Sequence, residues 1–276
     1  MMNQYFAGKR VVITGAGDGM GRAMAQQLNA VGCELWLCDV SPERLAATVA
    51  LLDGANASVH TAMVDCGDKG AIDAWAAEVI TQTNVIDALF NNAGVAYAAN
   101  FEESTEENYQ WLMAINFWGV VWCTRAFLPL LKAAPTGHIV NTSSIFGMVG
   151  IASQSAYNAA KFAVRGFSEA LIAEYRHTNI AVSCVHPGGI ATSIAARARA
   201  DGEWNQVSAA ERDKHFKEHT PTTAEQAATI ILRGVAHKKA RIMVGTDAWF
   251  VQLLARLFPV KYHWLTTRVL TPKESD

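Results

Sequence analysis

The stretch Lys9-Arg10-Val11-Val12-Ile13-Thr14-Gly15-Ala16-Gly17-Asp18-Gly19-Met20-Gly21 decides the fold of this chain. Its first six residues read as a short buried strand rich in β-branched side chains. Four glycines follow within seven residues. From Arg22 to Ala30 the apolar residues Met24, Ala25 and Leu28 then recur at helical spacing. Strand, glycine loop and helix in that order is the context a dinucleotide site requires. Glycine permits positive φ and lets the backbone approach a pyrophosphate closely. The helix N-terminus offers unpaired N–H groups and the positive end of its dipole to the phosphates.

A second strand, Glu34 to Cys38, ends at Asp39, eighteen residues beyond Gly21. In this context the carboxylate can accept hydrogen bonds from the adenosine ribose hydroxyls. Its charge would repel a 2′-phosphate, and neither Val40, Ser41 nor the loop from Gly15 to Gly21 supplies a Lys or Arg. Both facts point to NAD rather than NADP. The competing reading makes Asp39 a helix cap, but Ser41-Pro42-Glu43 already supplies the cap and first turn.

Working outward, strands and helices alternate. Strands are predicted at 58–64, 86–90, 138–142, 180–186 and 241–244, and helices at 68–83, 105–132, 155–177 and 223–237. Such βα alternation in 276 residues means a single α/β domain. It is a Rossmann-type doubly wound parallel sheet of about seven strands, with right-handed crossovers and helices on both faces. The expected strand order is 3-2-1-4-5-6-7. The segment 190–221 breaks the rhythm, being Ala-rich and then charged, with no clear strand. A long connection beyond the strand C-termini reads as a substrate lid.

In Ser155-Ala156-Tyr157-Asn158-Ala159-Ala160-Lys161 the phenol and the ammonium are four residues apart, on one helix face. A cation beside a phenol favours phenolate and lowers a pKa that is ordinarily near ~10. Such a tyrosine is an acid and base usable near neutral pH. Ser144 lies thirteen residues upstream of it.

With these residues in place the chain resembles the classical short-chain dehydrogenase/reductase family, from about Gly8 to Gly245. The family's glycine motif matches Thr14 to Gly21, and its Asn-Asn-Ala-Gly motif matches Asn91-Asn92-Ala93-Gly94. The active-site asparagine matches Asn116, and the serine segment matches Ile139 to Ser144. The catalytic pair matches Tyr157 and Lys161, and the nicotinamide stretch matches Pro187-Gly188-Gly189-Ile190-Ala191-Thr192. The resemblance implies an NAD-dependent oxidoreductase that interconverts a secondary alcohol and a ketone. Tyr157 would exchange the proton at the substrate oxygen, and Ser144 would hydrogen-bond that oxygen. Lys161 would lower the tyrosine pKa and bond the nicotinamide ribose, and Asn116 would hold a water of a proton relay. Gly15, Gly17, Asp18, Gly19, Met20 and Gly21 would cradle the cofactor. Asp65 would meet the adenine, and Asn92, Ala93 and Gly94 the adenosine. Pro187, Gly188, Ile190 and Thr192 would line the nicotinamide end. Strand alternation turns only one of Ser143 and Ser144 to the cofactor, and the family spacing selects Ser144. Asn141, inside the strand, reads as structural.

Tyr97, Phe146, Met148, Val149, Ile194 and Trp204 are candidates for an apolar substrate pocket, and equally good core material. Two alternatives compete with the NAD enzyme. One is an NADPH-dependent carbonyl reductase of the same fold, and the other a non-enzymatic dinucleotide-binding regulator, which would be expected to have lost Tyr157 or Lys161.

Lys and Arg number 23 against 25 Asp and Glu, for a net charge of −2. That balance argues against a nucleic-acid binder. Five cysteines with no Cys-x-x-Cys pair read as buried free thiols of a cytoplasmic protein. The N-terminus lacks the pattern of a signal peptide, and no uncharged run reaches the ~18–20 residues of a membrane span. His215 and His219 have chelating spacing but charged neighbours, so no metal is expected. His186 reads as packing. The extension 246–276 carries apolar residues at helical spacing from Trp249 to Leu270. It reads as an amphipathic helix packed on protein, attached to a membrane surface through Arg256, Lys261 and Arg268, or bordering a lipophilic substrate entrance. The family assembles through the helices that here hold Asn116 and Tyr157, which implies a homodimer or homotetramer.

Overall fold

A computed structural model describes residues 2–52, 57–218, 220 and 222–262. Seven strands form one sheet: β1 (Arg10–Thr14), β2 (Glu34–Asp39), β3 (Val59–Met63), β4 (Ala88–Asn91), β5 (Gly137–Thr142), β6 (Ile180–Pro187) and β7 (Arg241–Val244). All neighbours are parallel, in the order β3-β2-β1-β4-β5-β6-β7. This is the expected order.

The residues explain the layers. Along β1, Val11 and Ile13 pack into one core and Val12 into the other. Along β2, Leu35 and Leu37 join the first core and Trp36 and Cys38 the second. Period-two alternation of apolar side chains thus buries both faces of the sheet. The first core is closed by α1 (Gly19–Asn29) through Met24 and Leu28, and by Ile231 and Val235 of a C-terminal helix, Ala224–Ala236. The second is closed by α2 (Lys69–Gln82), α3 (Glu106–Ala133) and α4 (Ser155–Glu174), through residues such as Trp75, Phe127 and Leu171. Helix α3 is long and apolar enough to cross a membrane, but half of its most apolar stretch is buried in this core.

Three features depart from the sequence reading. Helix α3 is not continuous α-helix: a π turn at Ala114–Trp118 interrupts it at Asn116. The segment 190–221, expected to lack strands, makes two short parallel pairings within its described residues. Arg199–Ala200 pairs with Tyr97–Ala98, and Ile190–Ala191 with Thr222–Thr223. The amphipathic helix of the extension is α5 (Thr246–Leu257). The rest of the extension from residue 263, with Trp264, Leu265, Arg268 and Leu270, lies outside the described residues, as do Pro221, all of His219 and the side chain of His215. Among the described residues no cluster of His, Cys, Asp and Glu is arranged to hold a metal. All five cysteines are buried and free.

Candidate active site

The strand order reverses beside β1, and the crevice there is where ligands of such sheets bind. A cavity of about 310 Å³ opens at this point, lined by Gly15, Asp18, Gly19 and Met20, by Asp39 and Asp65, by Asn92 to Gly94, and by Thr192, Ile194 and Arg197.

Glycines let the walls approach one another. Gly15 has φ +65°, and a Cβ there would sit 2.8 Å from Ala93 Cα. A Cβ on Gly21 would lie 2.1 Å from Gly15 O. The Asn91–Gly94 turn is stitched to the glycine loop by Thr14, whose Oγ1 accepts from the N–H groups of Asn92 and Ala93. Asn92 Nδ2 donates to the carbonyls of Thr14 and Gly15. Its Oδ1 is buried with no partner among the described residues.

At the adenosine end, Asp39 accepts from Gly17 N at 3.0 Å and Ser41 N at 3.0 Å. It also accepts from Arg44 Nη2 at 2.7 Å. Arg44 lines the cavity; it lies outside the stretch the sequence reading tied to cofactor choice, inside the helix that follows the Ser41 cap. At the phosphate end, Asp18 caps α1 by accepting from Gly19 N. It also accepts from Ser193 Oγ and, at 2.7 Å, from Arg197 Nη2. Partial burial works against ionisation of this carboxyl, but the bonds from Ser193, Arg197 and Gly19 outweigh it and hold the pKa at about 2.

The cavity meets the candidate catalytic groups at Gly94. A Cβ on that glycine would lie 3.3 Å from Asn116 Oδ1 and 3.4 Å from Lys161 Nζ. The π turn directs Asn116 inward, where its Oδ1 accepts from Val95 N and its Nδ2 donates to Val95 O, both at 2.8 Å. A relay water at this side chain would therefore meet the second lone pair of Oδ1 or the second N–H of Nδ2. Lys161 Nζ donates to Thr142 O at 3.0 Å and sits 5.6 Å from the centroid of the Tyr157 ring. The Ser144 side chain is close enough to the Tyr157 phenol to lower its pKa. Ser143 turns the other way, as alternation requires, and donates to Lys161 O at 2.8 Å. It anchors the helix that presents the lysine.

The electrostatics run against the simple expectation that Lys161 lowers the tyrosine pKa. Burial pushes the Tyr157 phenol up to about 12, with the Ser144 side chain acting in the opposite sense. Burial pushes Lys161 down to about 8. Burial disfavours the charged form of each group.

Asn141 is structural: it accepts from Asn91 Nδ2 and donates to Ser168 Oγ. His186 is fully buried and donates through Nδ1 to Ser144 O at 3.1 Å. Burial lowers its pKa to about 4, so it is a neutral prop for the serine backbone.

The pocket candidates divide. Phe146 meets Tyr157 edge to face, with centroids 6.3 Å apart. Ile194 lines the cofactor cavity. Tyr97 is committed to Asp201, to which its hydroxyl donates at 2.6 Å. Asp201 also accepts from Thr105 and Asn108 and so ties the 190–221 segment to the start of α3. Met148 and Val149 are buried against α5, and Trp204 lies in a short turn at Gly202–Gln206. Among Pro187, Gly188, Ile190 and Thr192, Thr192 lines the cavity against Gly19. Gly188 packs on Asp247, whose Oδ2 accepts from Gly189 N at 2.6 Å.

The donor set fits a nicotinamide dinucleotide. A carboxylate stands where a ribose diol would bind, a helix N-terminus faces the phosphate position, and Asn92 Oδ1 is an orphaned buried acceptor.

Comparison with known proteins agrees. A family model described as short chain dehydrogenase matches residues 9–203. A putative oxidoreductase, SadH, of Mycobacterium tuberculosis is 44% identical over 264 residues, covering 94% of each chain. A Burkholderia phymatum short chain dehydrogenase/reductase solved in complex with NAD superposes with a TM-score of 0.83 at 30% identity, over 93% of this chain and 96% of that one. A metagenomic short-chain oxidoreductase solved with NADP gives a TM-score of 0.63 at 31% identity, over 67% of this chain and 83% of the other.

Proposed function

Because this chain belongs to the classical short-chain dehydrogenase/reductase family of nicotinamide-dependent oxidoreductases, we propose that it interconverts an apolar secondary alcohol and its ketone, with NAD(H) as the preferred cofactor. The observation that carries this reading is Gly94, which lines the cofactor cavity and where an added Cβ would lie 3.4 Å from Lys161 Nζ and 3.3 Å from Asn116 Oδ1.

The dinucleotide, when bound, supplies the hydride acceptor or donor. The chain's own residues do the rest. Ser144 and Tyr157 together offer two hydroxyls to one substrate oxygen and fix its position. Tyr157 gives its proton to that oxygen in reduction and takes one from it in oxidation. Lys161 holds a proton beside it, kept in place through Thr142 O and, on its own backbone, through Ser143 Oγ. His186 and Phe146 N brace Ser144 from behind. Phe146, against the tyrosine ring, supports an apolar rather than a sugar-like substrate.

Asp39 supports NAD(H). Arg44 favours the second reading, NADPH-dependent carbonyl reduction, because its guanidinium lines the same end of the cavity. The five buried thiols support a cytoplasmic setting. The test is a panel of secondary alcohols and ketones, from polyols to long-chain and polycyclic compounds, followed by absorbance with each cofactor. Turnover of apolar members with NAD(H) is expected. Turnover confined to polyols, or to NADP(H), would overturn the reading.

A further inference from the structure

Helix α5 carries large apolar residues on an outer face as well as on its inner one, and the fold covers only the inner face. Its inner face is already satisfied. Ala248, Val251 and Leu254 are buried, Asp247 accepts from Gly189 N, and Tyr262 beyond the helix accepts from Gly150 N at 3.2 Å. The outer face carries Trp249, Phe250, Leu253 and Leu257, which are 61%, 64%, 54% and 60% exposed. At about 100° per residue these four fall within roughly a 100° arc. Phe258 and Val260 extend the patch past the helix end. Six large apolar residues so exposed present several hundred Å² on an order-of-magnitude scale, which is what interaction sites expose.

The surrounding charge indicates the occupant. From residue 248 to residue 273 the sequence contains no Asp or Glu, but it contains Arg256, Lys261, Arg268 and Lys273, in a chain whose net charge is −2. Arg256 and Lys261 are exposed beside the apolar face. A second copy of the chain fits poorly. A two-fold interface would set this cationic segment against itself, with no acid in it to pair. Bulky aromatic and aliphatic residues flanked by Lys and Arg are instead the composition of a helix lying in the headgroup boundary of anionic lipid.

We propose that the outer face of α5 docks this protein onto the surface of an anionic lipid bilayer. The inner face of the same helix packs on Ile145, Met148 and Val149, directly after Ser144. Docking would therefore hold the substrate side of the active site near the lipid, where apolar alcohols and ketones concentrate. The docking itself does not depend on the proposed reaction, so it is read without turnover.

The full-length protein is co-sedimented with vesicles of phosphatidylcholine alone and of phosphatidylcholine mixed with phosphatidylglycerol. Partition onto the anionic vesicles is expected to be about tenfold stronger or more, from two exposed cations near the surface. Phe250→Glu and Leu253→Glu should abolish it. The double reversal Arg256→Glu/Lys261→Glu should reduce it to the neutral-vesicle level. An unchanged NADH fluorescence titration shows that each variant is folded. No sedimentation of the wild type, or equal sedimentation with both vesicle types, overturns the proposal. So does a wild-type dimer that Phe250→Glu splits in the absence of lipid, which would assign the face to a second copy.

Discussion

Arg44 and Asp39 form an ion pair at the adenosine end of the cofactor cavity, with Nη2 2.7 Å from Oδ1. The pair makes cofactor choice a balance between two groups. The carboxylate suits a free ribose diol and opposes a 2′-phosphate, whereas the guanidinium, once released from it, would do the reverse. Asp39→Ala is therefore expected to weaken NADH binding about tenfold or more, since a hydrogen bond to a charged group contributes about 1.5–3 kcal/mol. It should strengthen NADPH binding at the same time. Arg44→Ala should leave NADH within a fewfold and weaken NADPH further. Fluorescence titrations with both cofactors check this, and an unchanged affinity ratio in Asp39→Ala would rule out Asp39 as the ribose reader.

The pKa values of Tyr157, about 12, and Lys161, about 8, predict mirrored pH profiles. Below about pH 8 the pair holds both protons, and reduction uses that state. One proton leaves near pH 8. The remaining proton sits mostly on the phenol, but the phenolate–ammonium tautomer that oxidation uses has the same proton count. So kcat/KM for reduction should be level below about pH 8 and fall above it, and kcat/KM for oxidation should rise toward about pH 8 and level off. Tyr157→Phe should lose roughly a thousandfold in kcat while its NADH affinity stays within a fewfold. Flat profiles in both directions, or an active Tyr157→Phe, would exclude the tyrosine as the acid and base.

Asp18 places a negative charge at the N-terminus of α1, where a pyrophosphate would lie, and Arg197 neutralises it from 179 residues away. Both side chains are partly exposed, at 26% and 45%, so the pair contributes at most ~1 kcal/mol to stability. Its larger consequence is for an anionic ligand. Arg197→Ala leaves the carboxylate without its cation and should weaken NADH binding about tenfold. Asp18→Ser keeps a capping oxygen on the helix and removes the charge. The double variant Asp18→Ser/Arg197→Ala should therefore recover most of the lost affinity. A double variant as weak as Arg197→Ala alone would mean that Arg197 acts on the ligand directly and not by neutralising Asp18.

What was legible in the sequence follows local periodicity. The β-branched run marked Val11, Val12 and Ile13 as a buried strand, and alternation left one serine of Ser143 and Ser144 for the site, of which the family spacing selected Ser144, while Ser143 turns to Lys161 O. Contacts made across the fold were not legible. Arg44 reaches Asp39 only because the helix after Ser41 curls it back. Arg197 meets Asp18, and Asp247 meets Gly189, through chain paths that no spacing rule encodes. The π turn at Asn116 adds a residue to a helical pattern without changing its composition. The tyrosine pKa was expected to fall because the neighbouring charge was visible in the sequence and the burial was not.

Gly188 and Asp247 give the most exacting test of how the C-terminal helix serves the site. A Cβ on Gly188 would fall 2.1 Å from Asp247 Oδ2, so Gly188→Ala must expel the carboxylate and free the Gly189 N–H it now accepts from. A charge-assisted bond of this kind contributes about 2 kcal/mol, which in a domain of this size corresponds to roughly 4–8 °C in Tm. Asp247→Ala should cost a similar amount. Both substitutions break the same contact, so Gly188→Ala/Asp247→Ala should be scarcely less stable than either single variant, a non-additivity that a double-mutant cycle in thermal unfolding reads directly. NADH affinity should fall in parallel in all three, because the loosened loop leads to Thr192 in the cofactor cavity. Full additivity of the Tm changes would show that the glycine and the aspartate act separately and that α5 does not hold this loop through Asp247.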